Sequence, residues 1–170
     1  MKNLGNDLVV DVEKPRYSFY YKRVGSYNEN NGGGIIEMAY KCFLKARYLG
    51  GLVIDQIICK GRGGGDGKIL MCRAITFLQN ELNLDDDAEV SLLAMADFGR
   101  YERGKQGKNE GLNNAARENK LVAYYTRTYG FKVIHSGVGT DMVTTIGTIK
   151  AKCAEEGGGK RRGTRRKKRA

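Results

Sequence analysis

The chain has 170 residues, 41% hydrophobic and 29% charged, which fits one domain with tails, excludes two full-sized domains, and leaves both an enzyme and a binding module open. Its formal net charge of +11 points toward nucleic acid only if it is spread over the fold, and it is not. Residues 160–169, KRRGTRRKKR, hold 8 of the 30 basic residues and no acid, leaving 22 basic residues against 19 acidic ones elsewhere.

In chain order, Leu8 to Val12 and Arg16 to Val24 are rich in β-branched and aromatic residues and predict strands separated by Pro15. Tyr27 to Gly34 is a glycine- and asparagine-rich loop. The run from Ile35 to Cys59 predicts two or three strands broken near Gly50 and Gly51, the last over Leu52 to Ile58. From Gly67 the period changes: Leu70, Ala74, Phe77 and Leu78 recur at three and four residues, which predicts a helix from Gly67 to Gln79. A turn over Asn83 to Glu89 follows, its Asp85, Asp86 and Asp87 read as a solvated cap, then a buried strand over Val90 to Ala96. Asp97 to Gly111, with four glycines and many charges, reads as a mobile loop. A second helix is predicted over Leu112 to Thr126, ending before Tyr129-Gly130 with the glycine as its cap. Phe131 to Gly137 and Met142 to Cys153 are expected to close the fold as strands, with His135 a strand residue. The whole is a mixed α/β (α+β) domain over residues 1–154, followed at 155–170 by a disordered glycine-rich hinge and basic tail.

Between the strand at Leu52 to Ile58 and the first helix stands CKGRGGGDGKIL, Cys59 to Leu70, with five glycines in twelve positions. A strand, a bare turn and a helix start aim several backbone N–H groups at an anion. Two phosphate-binding patterns fail on counting. The P-loop requires glycine five before Gly67, where Arg62 stands, and a hydroxyl after Lys68, where Ile69 stands. The dinucleotide fingerprint started at Gly61 or Gly63 meets Asp66 or Lys68 in place of its third glycine.

A third pattern fits. Arg62-Gly63-Gly64-Gly65-Asp66-Gly67 reads R-x-x-G-x-G, with aliphatic Ile57 five before the arginine and Leu70 three after the last glycine. Further on, ENKLVAYYTRTYGFKVI offers Asn119, Leu121, Val122, Tyr124, Tyr125, Gly130 and Phe131. Together these segments resemble the GNAT superfamily of acetyl-CoA-dependent N-acetyltransferases over roughly residues 35–150. Three departures stand out: Asn119 lies one residue closer to the Leu-Val pair than is usual there, Tyr125 lies one residue farther from Gly130, leaving Thr126 at the usual tyrosine position, and Asp66 replaces a small or aliphatic residue.

The resemblance implies a single domain whose central, largely antiparallel sheet splays between its fourth and fifth strands, with helices on both faces. It implies that Gly63, Gly64, Gly65, Asp66, Gly67 and Lys68, behind Arg62, hold the pyrophosphate of acetyl-CoA, and that the pantetheine arm pairs along Ile57, Ile58 and Cys59. A backbone N–H near Ile58 would polarise the thioester carbonyl, an interaction worth about 3 to 4 kcal/mol in good geometry. Asn119 would bond the cofactor arm. Tyr125, with Tyr124 behind it, is the expected acid for the departing thiolate, because a phenol of pKa about 10 stays protonated at neutral pH. Asp55 is the nearest carboxylate for a general base, placed two before Ile57 and so on its face, and Glu37 is the other candidate. The reaction implied is direct attack of a primary amine (a protein lysine or N-terminus, a polyamine or another small amine) on acetyl-CoA in a ternary complex. An acid next to a pyrophosphate repels it, so the Asp66 side chain is expected to point to solvent or cap the helix.

Cys42, Cys59, Cys72 and Cys153 form no close pair, and with His135 the one histidine, no metal is expected. Free thiols, the absence of a signal-peptide-like start and of any apolar run near the ~20 residues of a membrane span lead to an expectation of an intracellular protein, cytoplasmic or nuclear, monomer or homodimer, not secreted. Two rival readings remain: a nucleic-acid-binding protein acting through residues 160–169, and a CoA-binding fold of this kind without turnover.

Overall fold

The computed structural model describes residues 1–25, 36–61, 64–95, 114–137 and 139–155. Eight strands form one open sheet: β1 (Lys2–Gly5), β2 (Leu8–Glu13), β3 (Arg16–Arg23), β4 (Tyr40–Tyr48), β5 (Leu52–Cys59), β6 (Glu89–Ala94), β7 (Lys132–Gly137) and β8 (Gly139–Thr145). Their order across the sheet is β1-β2-β3-β4-β5-β6-β8-β7. Neighbours are antiparallel except β5 and β6, which run parallel with Leu52, Val53 and Ile54 opposite Val90, Ser91 and Leu92. A parallel pair needs a long crossover, and helix α1 (Asp66–Glu81) supplies it. Helix α2 (Asn114–Tyr129) links β6 to β7, and residues 146–155 form a third helix, α3. The fold is thus mixed α+β, with a mostly antiparallel sheet.

Sequence periodicity explains the packing. Strand β3 alternates so that Tyr17, Phe19 and Tyr21 enter the main core with Cys42, Leu44 and Ala46 of β4, while Tyr20 and Phe43 build a second cluster with Ala39 and Tyr40. Helix α1 buries Leu70, Met71, Ala74, Ile75 and Leu78 completely. That stripe falls at the helical period, and each larger side chain in it contributes about 1.5 to 3 kcal/mol by leaving water. Helix α2 turns Leu121, Val122 and Tyr125 against the same core and ends with Tyr129 wholly buried.

Several expectations are corrected. The run from Met142 to Cys153 is a strand only as far as Thr145. There the Thr145 hydroxyl accepts the Thr148 backbone N–H at 3.1 Å, an N-cap that starts α3. Ile146 and Ile149, three apart on its inner side, are fully buried. The first part of the Ile35 run is a 3₁₀ turn, Ile36–Ala39, not a strand. Helix α2 continues to Tyr129, three residues past the predicted end. Strand β1 was not expected at all.

The four cysteines are not free thiols: Cys42 pairs with Cys59 and Cys72 with Cys153. The first pair lies directly across the β4–β5 ladder, where the register sets Cys42 opposite Cys59. The second ties α1 to α3 across 81 residues of sequence. The loop at Asp97 to Gly111, the loop at Tyr27 to Gly34 and the tail from 156 onward lie outside the described residues. Glu155, assigned to the hinge, closes the described part of α3. No described helix is long and apolar enough to cross a membrane.

Candidate functional site

Strand β5 delivers the chain to the glycine turn. Cys42 and Cys59 end the paired stretch, and Lys60 donates its backbone N–H to the Lys41 carbonyl at 2.8 Å. Gly61, Gly64 and Gly65 then take φ of +81°, +86° and +70°, values an L side chain adopts only with strain. This is the physical reason for glycine at those three positions. Arg62 and Gly63 lie outside the described residues. Gly65 stands at the N-cap of α1 with no side-chain hydrogen bond to the first turn, and Ile69 begins the helical ladder by donating to the Gly65 carbonyl at 3.0 Å.

Asp66 does neither of the two things expected of it. It is 5% exposed and makes no cap; its carboxylate turns toward the sheet, where Lys22 Nζ donates to Oδ1 at 3.0 Å and Lys41 Nζ donates to Oδ2. The β3–β4 register, Tyr21 opposite Cys42 and Arg23 opposite Tyr40, sets the two lysines side by side. Lys22 itself has φ +56°. The Lys41 and Lys22 hydrogen bonds hold the Asp66 carboxyl below its usual range despite burial, and the same bond raises Lys22. The carboxylate also reaches the turn: a Cβ built at Gly64 meets Asp66 Oδ2 at 3.5 Å and Lys41 Nζ at 3.9 Å. Neither lysine belongs to a motif, so nothing short of the strand register reveals the pair.

Below the turn, a Cβ at Gly67 meets Cys59 Sγ at 3.3 Å, so the first turn of α1 rests on the Cys42–Cys59 disulfide. Cys59 and Ile57 pack against the main core and Ile58 against the second cluster. All three side chains remain partly exposed beside the backbone along which the cofactor arm is predicted. Lys68 lies in the first turn of α1 and is half-buried.

The two candidate bases are both engaged. Asp55 is not on the face of Ile57. The ladder shifts there, with Ala46 opposite Ile54 but Lys45 opposite Gln56, so Asp55 is the extra residue of a bulge and alternation restarts after it. Its carboxylate meets Arg47 Nε at 3.0 Å, on the face away from the Leu44 side that Ile57 shares. Glu37 accepts from Lys45 Nζ at 2.6 Å; burial alone raises its pKa, but that bond and the backbone outweigh it and hold the carboxyl low.

Tyr125 is half-buried on α2 within an aromatic group. Its ring centroid lies 5.6 Å from Tyr124, 6.3 Å from Tyr129 and 6.0 Å from Phe131. Burial, and then the neighbouring Tyr124 phenol, push its pKa up to about 12. Tyr124 is exposed at its outer edge, with its hydroxyl 3.5 Å from that of Tyr129. Asn119 is exposed on the same helix, and His135 sits on exposed β7 with Nδ1 3.7 Å from Asp141 Oδ2. Asp86 is more than a solvated cap: it accepts from Gln79 and Lys150, and its carbonyl takes the Gly147 N–H at 2.8 Å. No group of three or more metal-ligating side chains occurs among the described residues.

Compared with known proteins, the chain matches no family model and no curated protein.

Proposed function

We propose that the chain is an acetyl-CoA-dependent N-acetyltransferase of the GNAT kind, acting on a primary amine. The observation that carries this reading is the glycine turn between β5 and α1, with positive φ at Gly61, Gly64 and Gly65, which brings main chain within reach of a diphosphate where side chains would hold it off. The sheet supports it. Register between β5 and β6 covers Leu52 to Ile54, while β5 runs on to Cys59 against β4. In this reading the sheet opens beyond Ile54; the Lys60 bond to Lys41 makes Ile58 and Gln56 the residues whose amides face β4, so the amide groups of Ile57 and Cys59 receive the cofactor arm.

The chemistry follows from Tyr125. Attack of the neutral amine nitrogen on the thioester carbon forms the C–N bond, the C–S bond breaks, and the sulfur leaves as a thiolate. An alkyl thiol is a stronger acid than Tyr125, whose pKa burial pushes up to about 12, so full proton transfer from the phenol is uphill. Tyr125 therefore acts as a hydrogen-bond donor to the departing sulfur, and the proton that completes CoA-SH is the one the attacking nitrogen releases. The backbone N–H of Ile57 or Cys59, on either side of Ile58, faces the developing oxyanion in this reading.

One set of contacts favours the reading without turnover: Asp55 and Glu37 are both locked in ion pairs, so neither serves as a base without breaking one. Acetyl-CoA consumption against a panel of amines decides between the two. Turnover with at least one amine is expected, and Tyr125→Phe lowers kcat by about 10- to 100-fold, the loss of one hydrogen bond to a charged group, with CoA affinity nearly unchanged. CoA binding with no turnover on any amine leaves the binding fold.

A further inference from the structure

The ion cluster around the buried Asp66 carboxylate is not used by the mechanism above. Lys22 and Lys41 come from two adjacent strands, and each donates to a different oxygen of one carboxylate. Their side chains remain 43% and 34% exposed, against 6% for Asp66. Each ammonium has three donors, and Asp66 satisfies one on each. Asp7 also acts on Lys22, so the positive charge at the rim of the turn is centred on Lys41, whose Nζ lies 3.9 Å from a Cβ built at Gly64.

We propose that Asp66 is a specificity-determining residue: its carboxylate is an internal anion that gathers Lys22 and Lys41 beside the turn and sets the charge a ligand must carry to engage them. A diphosphate, with several negative charges and two phosphoryl groups, takes the outward donors of both lysines. A lone phosphate, with one phosphoryl group and a charge between about −1 and −2 at neutral pH, does not span both lysines against the repulsion from Asp66. The ligand class is thus a diphosphate or its ester. The inference rests on the reading of the turn as a phosphate cradle, and its test separates the two.

Full-length protein and the variants Asp66→Asn and Lys22→Gln/Lys41→Gln are titrated calorimetrically with inorganic pyrophosphate, inorganic phosphate and CoA. Removing the carboxylate charge is expected to tighten pyrophosphate about tenfold, through lost repulsion at a few ångströms in partly exposed surroundings, and to make inorganic phosphate binding measurable. The double lysine variant is expected to weaken pyrophosphate about tenfold. Unchanged pyrophosphate affinity in the Asp66→Asn protein overturns the proposal. Should that variant fail to fold, the lysine side-chain methylene resonances of the unaltered protein decide: pyrophosphate shifts those of Lys22 and Lys41 saturably, and no shift at either refutes the assignment. CoA binding without any Asp66 effect sinks this inference alone, whereas a pyrophosphate response without CoA binding sinks the cofactor reading and leaves the role of Asp66 standing.

Discussion

At the scale of single residues, the oppositely directed shifts of Asp66 and Tyr125 have separate consequences for stability. Asp66 has a folded pKa below its unfolded one. It therefore contributes stability that is complete above about pH 4, the unfolded carboxyl value, and is lost as pH falls through the lower folded value. Denaturant midpoints measured between about pH 5 and pH 2 should fall more steeply for the unaltered protein than for Asp66→Asn; equal slopes would show that the ion cluster adds nothing to the fold. Tyr125 works at the other end. Its folded pKa of about 12 exceeds the unfolded value, so its contribution is complete below about pH 10 and is lost between pH 10 and 12. Sequence exposed these two residues unequally. Tyr125 was found from its helix motif and has an environment that suits a neutral phenol, whereas Asp66 was found as a departure whose orientation no local rule could give, because its partners lie 44 and 25 residues away. Asp55 shows the opposite failure: counting by two along a strand places a side chain correctly only where no bulge intervenes.

Among elements, those with one strong period were legible. Helix α1 was marked by Leu70, Ala74 and Leu78, all fully buried, and β3 by its aromatic alternation. Helix α3 was missed because its threonines and isoleucines read as strand residues, although Ile146, Ile149 and Cys153 carry a three-and-four spacing and Thr145 is a good N-cap. The disulfides were missed for a different reason. Cys42 and Cys59 meet only because β4 and β5 are adjacent in a particular register, and Cys72 and Cys153 only because α3 is a helix packed beside α1. Gly130 was expected to turn the chain after α2, although the helix runs on to Tyr129, and the geometry there yields a prediction. Gly130 has φ +75°, and a Cβ there would lie 2.5 Å from Thr148 Cγ2 on α3. Gly130→Ala is expected to destabilise the protein by about 2 kcal/mol or more, from the left-handed backbone and the contact together. Chemical denaturation measures it; a loss below about 0.5 kcal/mol would mean that α2 and α3 do not meet there as described.

For the whole molecule, the sheet order places the glycine turn at the end of β5, where the parallel pair with β6 begins the crossover through α1. The turn, the Lys22–Asp66–Lys41 cluster and the Cys42–Cys59 disulfide are consecutive layers of one corner of the fold, held by β3, β4, β5 and the start of α1. Helix α2, which carries Tyr125, packs against the same core from β6 and β8. The basic run at 160–169 is separate in sequence from this corner, and salt screens its charge in a binding assay. Calorimetric titration of the full chain with CoA at about 0.3 M salt, where the Debye length is only several ångströms, beside Gly64→Ala and Gly65→Ala variants, decides whether the glycine turn holds the coenzyme. Saturable one-to-one binding that weakens at least tenfold in both variants is the predicted result. No heat at millimolar CoA, or equal affinity in the unaltered protein and both variants, would contradict it.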